Sequence, residues 1–96
     1  MFISVTDASD PWKRRDSLLR LSARQVEVAA LVAEGRSSSE AGRALNLSPR
    51  TIDRHVNLAM ESVTAHSRAH LVALCYWGEL LRIDSWPPRP AHVFGE

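Results

Sequence analysis

Arg50, Arg54 and Asn57 are the side chains in this 96-residue sequence whose types and spacing best suit them to chemistry. Arginine can bond guanine, and asparagine can bond adenine, each through two matched hydrogen bonds in a DNA major groove. Steps of four and three residues bring the three side chains onto one face of a helix. The stretch Ser48 to Val63, SPRTIDRHVNLAMESV, provides that helix. Ser48 can accept a hydrogen bond from the first free backbone amides, and Pro49 fits the first turn, where its missing N–H costs nothing. Ile52, Val56, Ala59 and Val63 form the apolar stripe, and the opposite face carries Arg50, Arg54, Asn57, Leu58 and Glu61. On this helix alone the plainer reading, a solvated face on an ordinary amphipathic helix, stands ahead of DNA recognition.

The preceding sequence changes that balance by positioning the helix. Ser22 and Gln25 have capping-box spacing, Leu21 and Val26 can form the accompanying apolar contact, and Gly35 suits the left-handed turn after the helix. Ser37 and Glu40 repeat the spacing and open a short helix with Ala41, Ala44 and Leu45 on one side. Asn46 then suits a tight turn, because it tolerates positive φ. Two helices joined through Asn46 to Ser48 make a helix-turn-helix unit over about 37–63. Gly42 inside the first of them is read either as a close backbone approach or as a tolerated weak spot.

A last helix is expected from a cap at Ser67 to about Arg82. One stripe, Leu71, Leu74, Gly78 and Leu81, can cover the core, while Val72, Tyr76, Trp77 and Glu79 lie elsewhere. A helix apolar on two sides wants a second surface, which is either another copy or the rest of this small domain. Cys75 lies in this run; as a lone cysteine it makes no internal disulfide, and a buried, inert thiol is the expectation. Residues 1–16 read as a flexible arm, in which Trp12 could pin the arm and Lys13, Arg14 and Arg15 could touch phosphate or merely solvate. Residues 84–96, DSWPPRPAHVFGE, read as an extended Pro-rich tail. The domain itself is expected over 17–83.

The net charge of +1 does not demand a nucleic acid. From Leu21 to Ile83 there are seven arginines against six acids, and the basic excess lies upstream at Lys13, Arg14, Arg15 and Arg20. No stretch approaches the roughly 20 apolar residues of a membrane span, and the N-terminus lacks the order of a signal peptide. A cytoplasmic location is the default expectation. His55, His66, His70 and His92 show no metal-ligand or triad arrangement, and the cap at Ser67 falls between His66 and His70. No catalytic residue, metal or cofactor is expected, and an enzyme is disfavoured.

The order of these pieces resembles the DNA-binding domain of LuxR-type (GerE-like) transcription regulators over roughly Leu21 to Leu81. The resemblance rests on Leu21-Ser22-x-Arg24-Gln25-x-Glu27-Val28, Ala33-Glu34-Gly35, Ser37-x-x-Glu40 and Leu45-x-Leu47-Ser48. It continues through Arg50-Thr51-Ile52-x-x-His55-Val56 and Ser67-Arg68. Ala59-Met60 and Ser67-Arg68-Ala69-His70-Leu71 look most like the branch that responds to acyl-homoserine lactones, the quorum-sensing regulators. The resemblance implies an all-α fold of four helices, flanked here by the arm and the tail. It implies base reading by Asp53, Arg54 and Asn57, and backbone contacts from Ser37, Ser38, Arg50, Thr51 and His55. It also implies dimerisation through the last helix, with Val72, Cys75, Tyr76 and Glu79 as the expected contact.

The sequence departs from the family at two acids. Asp53 stands where a basic or neutral residue is common; it could accept from a cytosine amino group or pair with Arg50 or Arg54. Glu61 and Ser62 replace a commonly basic pair, which removes phosphate contacts. The length also leaves no room for a ligand-sensing or receiver domain, so a stand-alone regulator without a small-molecule ligand domain is expected. The expected partners are double-stranded DNA and a second copy. The competing reading is an interaction protein that forms heterodimers with, and inhibits, full-length LuxR-type regulators. A promoter-reading region of a sigma factor shares the helix-turn-helix, but the long apolar last helix and Ser67-Arg68 argue against it.

Overall fold

The computed structural model describes residues 16–91, and the expectations for Trp12, Lys13, Arg14, Arg15 and His92 lie outside them. After a helical turn at 16–19 come α1 (Ala23–Ala33), α2 (Ser38–Leu45), α3 (Pro49–Val63) and α4 (Arg68–Trp77). Both capping boxes form as the spacing requires. Ser22 Oγ accepts from the Gln25 amide at 3.0 Å, and Gln25 Oε1 accepts from the Ser22 amide at 2.8 Å. Ser37 and Glu40 repeat the exchange at 3.1 and 2.9 Å. Ser48 and Ser67 start α3 and α4 in the same way, each accepting from an amide three residues on.

The helices also share one way of ending. The amides of Arg36, Leu47, Ala65 and Leu80 each donate to the carbonyl five residues back, at 2.8–3.1 Å. That six-to-one bond turns the chain off the helix through a left-handed residue. Gly35 (φ 91°), Asn46 (φ 61°), Thr64 (φ 56°) and Glu79 (φ 64°) occupy the left-handed position in turn. The first two are residue types that favour it; Thr64 and Glu79 are not.

This ending corrects the expected course of the last helix, which stops at Trp77 rather than Arg82. Gly78 caps it, Glu79 reverses the chain, and Leu80 and Leu81 both turn into the core at 1% and 2% exposure. The described part of the Pro-rich segment then returns against this end. Arg82 and Ala91 donate backbone hydrogen bonds to Arg89 and Leu80, both at 2.8 Å, and Leu81 pairs with Pro90 in an isolated antiparallel bridge. Pro88 is buried, whereas Ile83 and Trp86 are exposed.

The core draws on every element. The stripe Ile52, Val56, Ala59 and Val63 is buried at 0–1% exposure. It packs with Leu18, Leu21, Val26, Val28 and Ala29 from the N-terminal side, Ala41 from α2 and Leu71 and Cys75 from α4. The question left open at Gly42 is answered by a close approach: a Cβ there would lie 2.3 Å from the Leu47 carbonyl oxygen. The helix-turn-helix angle therefore depends on the missing side chain.

Candidate nucleic-acid interface

Burial of its apolar stripe leaves α3 with one face outward. Arg50, Arg54, Asn57, Leu58 and Glu61 are exposed on it, and Thr51, Asp53 and His55 are half-buried at its edges. Among the described residues neither Arg50 nor Arg54 takes part in an ion pair, unlike Arg24, Arg36, Arg68 and Arg82. Two guanidiniums and a carboxamide thus stand together on a rigid helix, available to an outside partner. Thr51 is more constrained: its hydroxyl lies 2.9 Å from Ser48 Oγ, and its amide donates to the same oxygen at 3.1 Å.

Asp53 has other partners than the two arginines weighed for it. Its Oδ1 accepts a short hydrogen bond from Ser38 Oγ in the first turn of α2 and one of 2.8 Å from Arg68 at the start of α4. One carboxylate oxygen in the second turn of α3 therefore ties that helix to the beginnings of two others. The Ser38 hydroxyl and then the Arg68 guanidinium hold the Asp53 carboxyl below the usual aspartate range. Of the expected backbone-contacting serines, Ser38 is engaged in this cluster and Ser37 in its capping box. Arg68 is the functional candidate that spacing did not find, because its partner lies 15 residues away.

This cluster carries a pH prediction. A carboxyl whose folded pKa is depressed contributes stability above its unfolded pKa, about 4, and loses it as pH falls through the folded value. Asp53→Asn keeps an acceptor for Ser38 but not the charge facing Arg68. The parent should melt above the variant by a constant margin from about pH 7 to pH 5, and that margin should shrink as pH falls below about 4. A margin unchanged by acid in a pH series of thermal melts would place the stabilisation elsewhere.

The sequence matches the family model "GerE: Bacterial regulatory proteins, luxR family" over residues 19–75. The chain belongs to this luxR family of bacterial regulatory proteins. The "Putative HTH-type transcriptional regulator YhjB" of Escherichia coli (strain K12) is 41% identical over 56 residues, 58% of this chain and 28% of that protein. The chain thus spans well under a third of the length of that curated relative. No solved structure gives a significant match.

The luxR-family match spans α1, α2 and α3 and ends inside α4, so the reversal at Glu79 and the return to Ala91 lie beyond it. Within the matched part, an open depression of about 470 Å³ lies beside the turn between α2 and α3, lined by Ser39, Gly42, Arg43, Asn46, Leu47, Ser48 and Pro49. It sets Arg43, which spacing did not single out, close to the start of α3. On α4, Val72 and Tyr76 are half-buried and Trp77 is 49% exposed, while Glu79, in the reversal after the helix, is exposed. Cys75 is fully buried, and burial pushes its thiol up to about 11. It can support a contact surface only from beneath. His66 and His70 stack at 5.2 Å between ring centroids, and His70 Nδ1 accepts from the His66 amide at 3.0 Å. Among the described residues no three His, Cys, Asp or Glu side chains are grouped to hold a metal ion, and no helix is long and apolar enough to cross a membrane.

Proposed function

We propose that this chain is a sequence-specific DNA-binding transcription regulator that inserts α3 into the major groove and acts as a dimer. The observation that carries the reading is the outward face of α3, with Arg54 and Asn57 exposed on a helix fixed by its buried stripe. Arg54 and Asn57 read base edges. Arg50, Thr51 and His55, with Ser37 and Ser38 at the start of α2, lie towards the phosphates. Asp53, engaged by Ser38 and Arg68, orients α3 and holds Arg68 in place. The dimer contact uses Val72 and Tyr76 on α4 and Glu79 in the reversal that follows it. Family membership supports the regulatory role, and the quorum-sensing branch rests on the Ala59-Met60 and Ser67 to Leu71 runs.

A second reading has its own support. The near-balance of charge from Leu21 to Ile83, with Glu61 on the α3 face, suits a chain that pairs with related regulators and yields heterodimers poor in DNA binding. Titration of a palindromic duplex of the family type, at several salt concentrations, separates the two. DNA reading predicts affinity that falls linearly on a logarithmic salt axis, by about 0.9 of slope per neutralised phosphate, with preference over a scrambled duplex. No DNA affinity at low salt, together with binding to a full-length luxR-family regulator, would establish the heterodimer instead.

A further inference from the structure

Leu58 is the apolar residue of α3 that lies off its core face. Ile52, Val56, Ala59 and Val63 are buried and Met60 packs against them, but Leu58 is 41% exposed and outside the core cluster. The other large exposed apolar residues among those described are Leu19, Trp77, Ile83 and Trp86, all outside the helix-turn-helix unit. At about 100° per residue, Leu58 follows Arg54 by one turn and adjoins Asn57, so the three share the outward face.

A leucine among hydrogen-bonding side chains gives this face one apolar contact to offer. The edges of the bases in a major groove offer one, the C5-methyl of thymine. From Arg54 to Leu58 the helix rises about 6 Å, close to two base steps of 3.4 Å. Resting on the assignment of α3 to the groove, we propose that Leu58 is a specificity-determining residue that reads a thymine methyl within about two base pairs of the guanine bonded by Arg54. The face then reads three chemistries in sequence: acceptors of guanine through Arg54, the donor–acceptor edge of adenine through Asn57, and the methyl of thymine through Leu58. Glu61, about one turn further on, is exposed, and its charge would repel phosphate, which would end the reading surface there.

The test uses the full 96-residue chain. Its preferred duplex is selected from a random pool, and each thymine is then replaced by deoxyuridine, which retains every hydrogen-bonding group and deletes the methyl. One thymine per half-site should weaken binding about fourfold on replacement, the equivalent of the ~0.8 kcal/mol for one buried methylene-sized group. Leu58→Ala should bind the parent duplex about as weakly and should be indifferent to the same replacement, with its melting temperature unchanged. Full affinity after every thymine replacement overturns the proposal, as does a Leu58→Ala variant as sensitive to uracil as the parent. Loss of a protein complex by Leu58→Ala, with thymine sensitivity intact, would make residue 58 a protein contact and also overturns it. Failure to select any duplex defeats the DNA reading itself and this inference with it.

Discussion

Gly42→Ala should destabilise the domain by about 2 kcal/mol and lower its melting temperature by roughly 10 °C. In an ordinary helix the same change stabilises, since glycine is about 1 kcal/mol worse than alanine in a helix interior. Here the added methyl meets the Leu47 carbonyl oxygen at 2.3 Å, and that carbonyl belongs to the turn between α2 and α3. The same turn is held by the Leu47 amide donating to the Gly42 carbonyl at 2.8 Å. Backbone must move, so the penalty should reach the top of the roughly 1–3 kcal/mol range for overpacking and outweigh the gain in propensity. Gly78→Ala is the internal comparison. Its Cβ would meet Leu18 Cδ1, a side-chain terminus rather than backbone, at 2.6 Å, with the nearest backbone atom, the Leu74 carbonyl oxygen, at 3.3 Å, and φ there is an ordinary −86°. Thermal melts should rank Gly42→Ala well below Gly78→Ala. An equal or reversed ranking would show that the turn yields easily and does not fix the helix-turn-helix angle. Because Ser48 caps α3 directly after Leu47, the Gly42 variant should also lose affinity for DNA at temperatures where it remains folded.

What the sequence discloses about this fold follows from how local each cause is. The helix starts are decided within four residues: Ser22 with Gln25, Ser37 with Glu40, and Ser48 with Pro49 form caps as spacing requires. The buried stripe of α3 is equally plain, because one period generates it. Helix ends are less legible. Gly35 and Asn46 announce their turns by residue type, but Thr64 and Glu79 adopt positive φ with no such signal. The run Leu80, Leu81, Ile83 therefore reads as more helix, when tertiary burial has drawn the first two inward and left the third outside.

The candidate site divides along the same line. Exposure of Arg54 and Asn57 follows from helix period, and the base-reading roles proposed for them come from the family resemblance. The partners of Asp53 do not follow from either, since Ser38 and Arg68 each lie 15 residues away and meet only when α2, α3 and α4 pack. Cys75 fails for a related reason. A helix with two apolar faces does not disclose which one the chain itself will cover, and the chain covers the face bearing Cys75.

Arg54→Ala should remove most of the preference for a selected duplex over a scrambled one, a loss of about 10- to 100-fold, while leaving non-specific binding nearly intact. The expectation comes from what Arg54 touches within the chain. It is exposed, joins no ion pair among the described residues and lies opposite the buried stripe, so its truncation should leave the melting temperature unchanged. A fork bonded to guanine carries sequence information, whereas a guanidinium on phosphate carries charge alone. Arg50→Ala is the contrasting case. At the first turn of α3 it should weaken all duplexes alike and reduce the salt slope by about one unit. Arg54→Lys should retain affinity at low salt yet recover little preference, because an ammonium lacks the planar fork. If Arg54→Ala binds the selected duplex as tightly as the parent does, α3 does not read bases at this position. A uniform weakening like that of Arg50→Ala would move Arg54 to the phosphates and leave Asn57 to carry hydrogen-bonded readout.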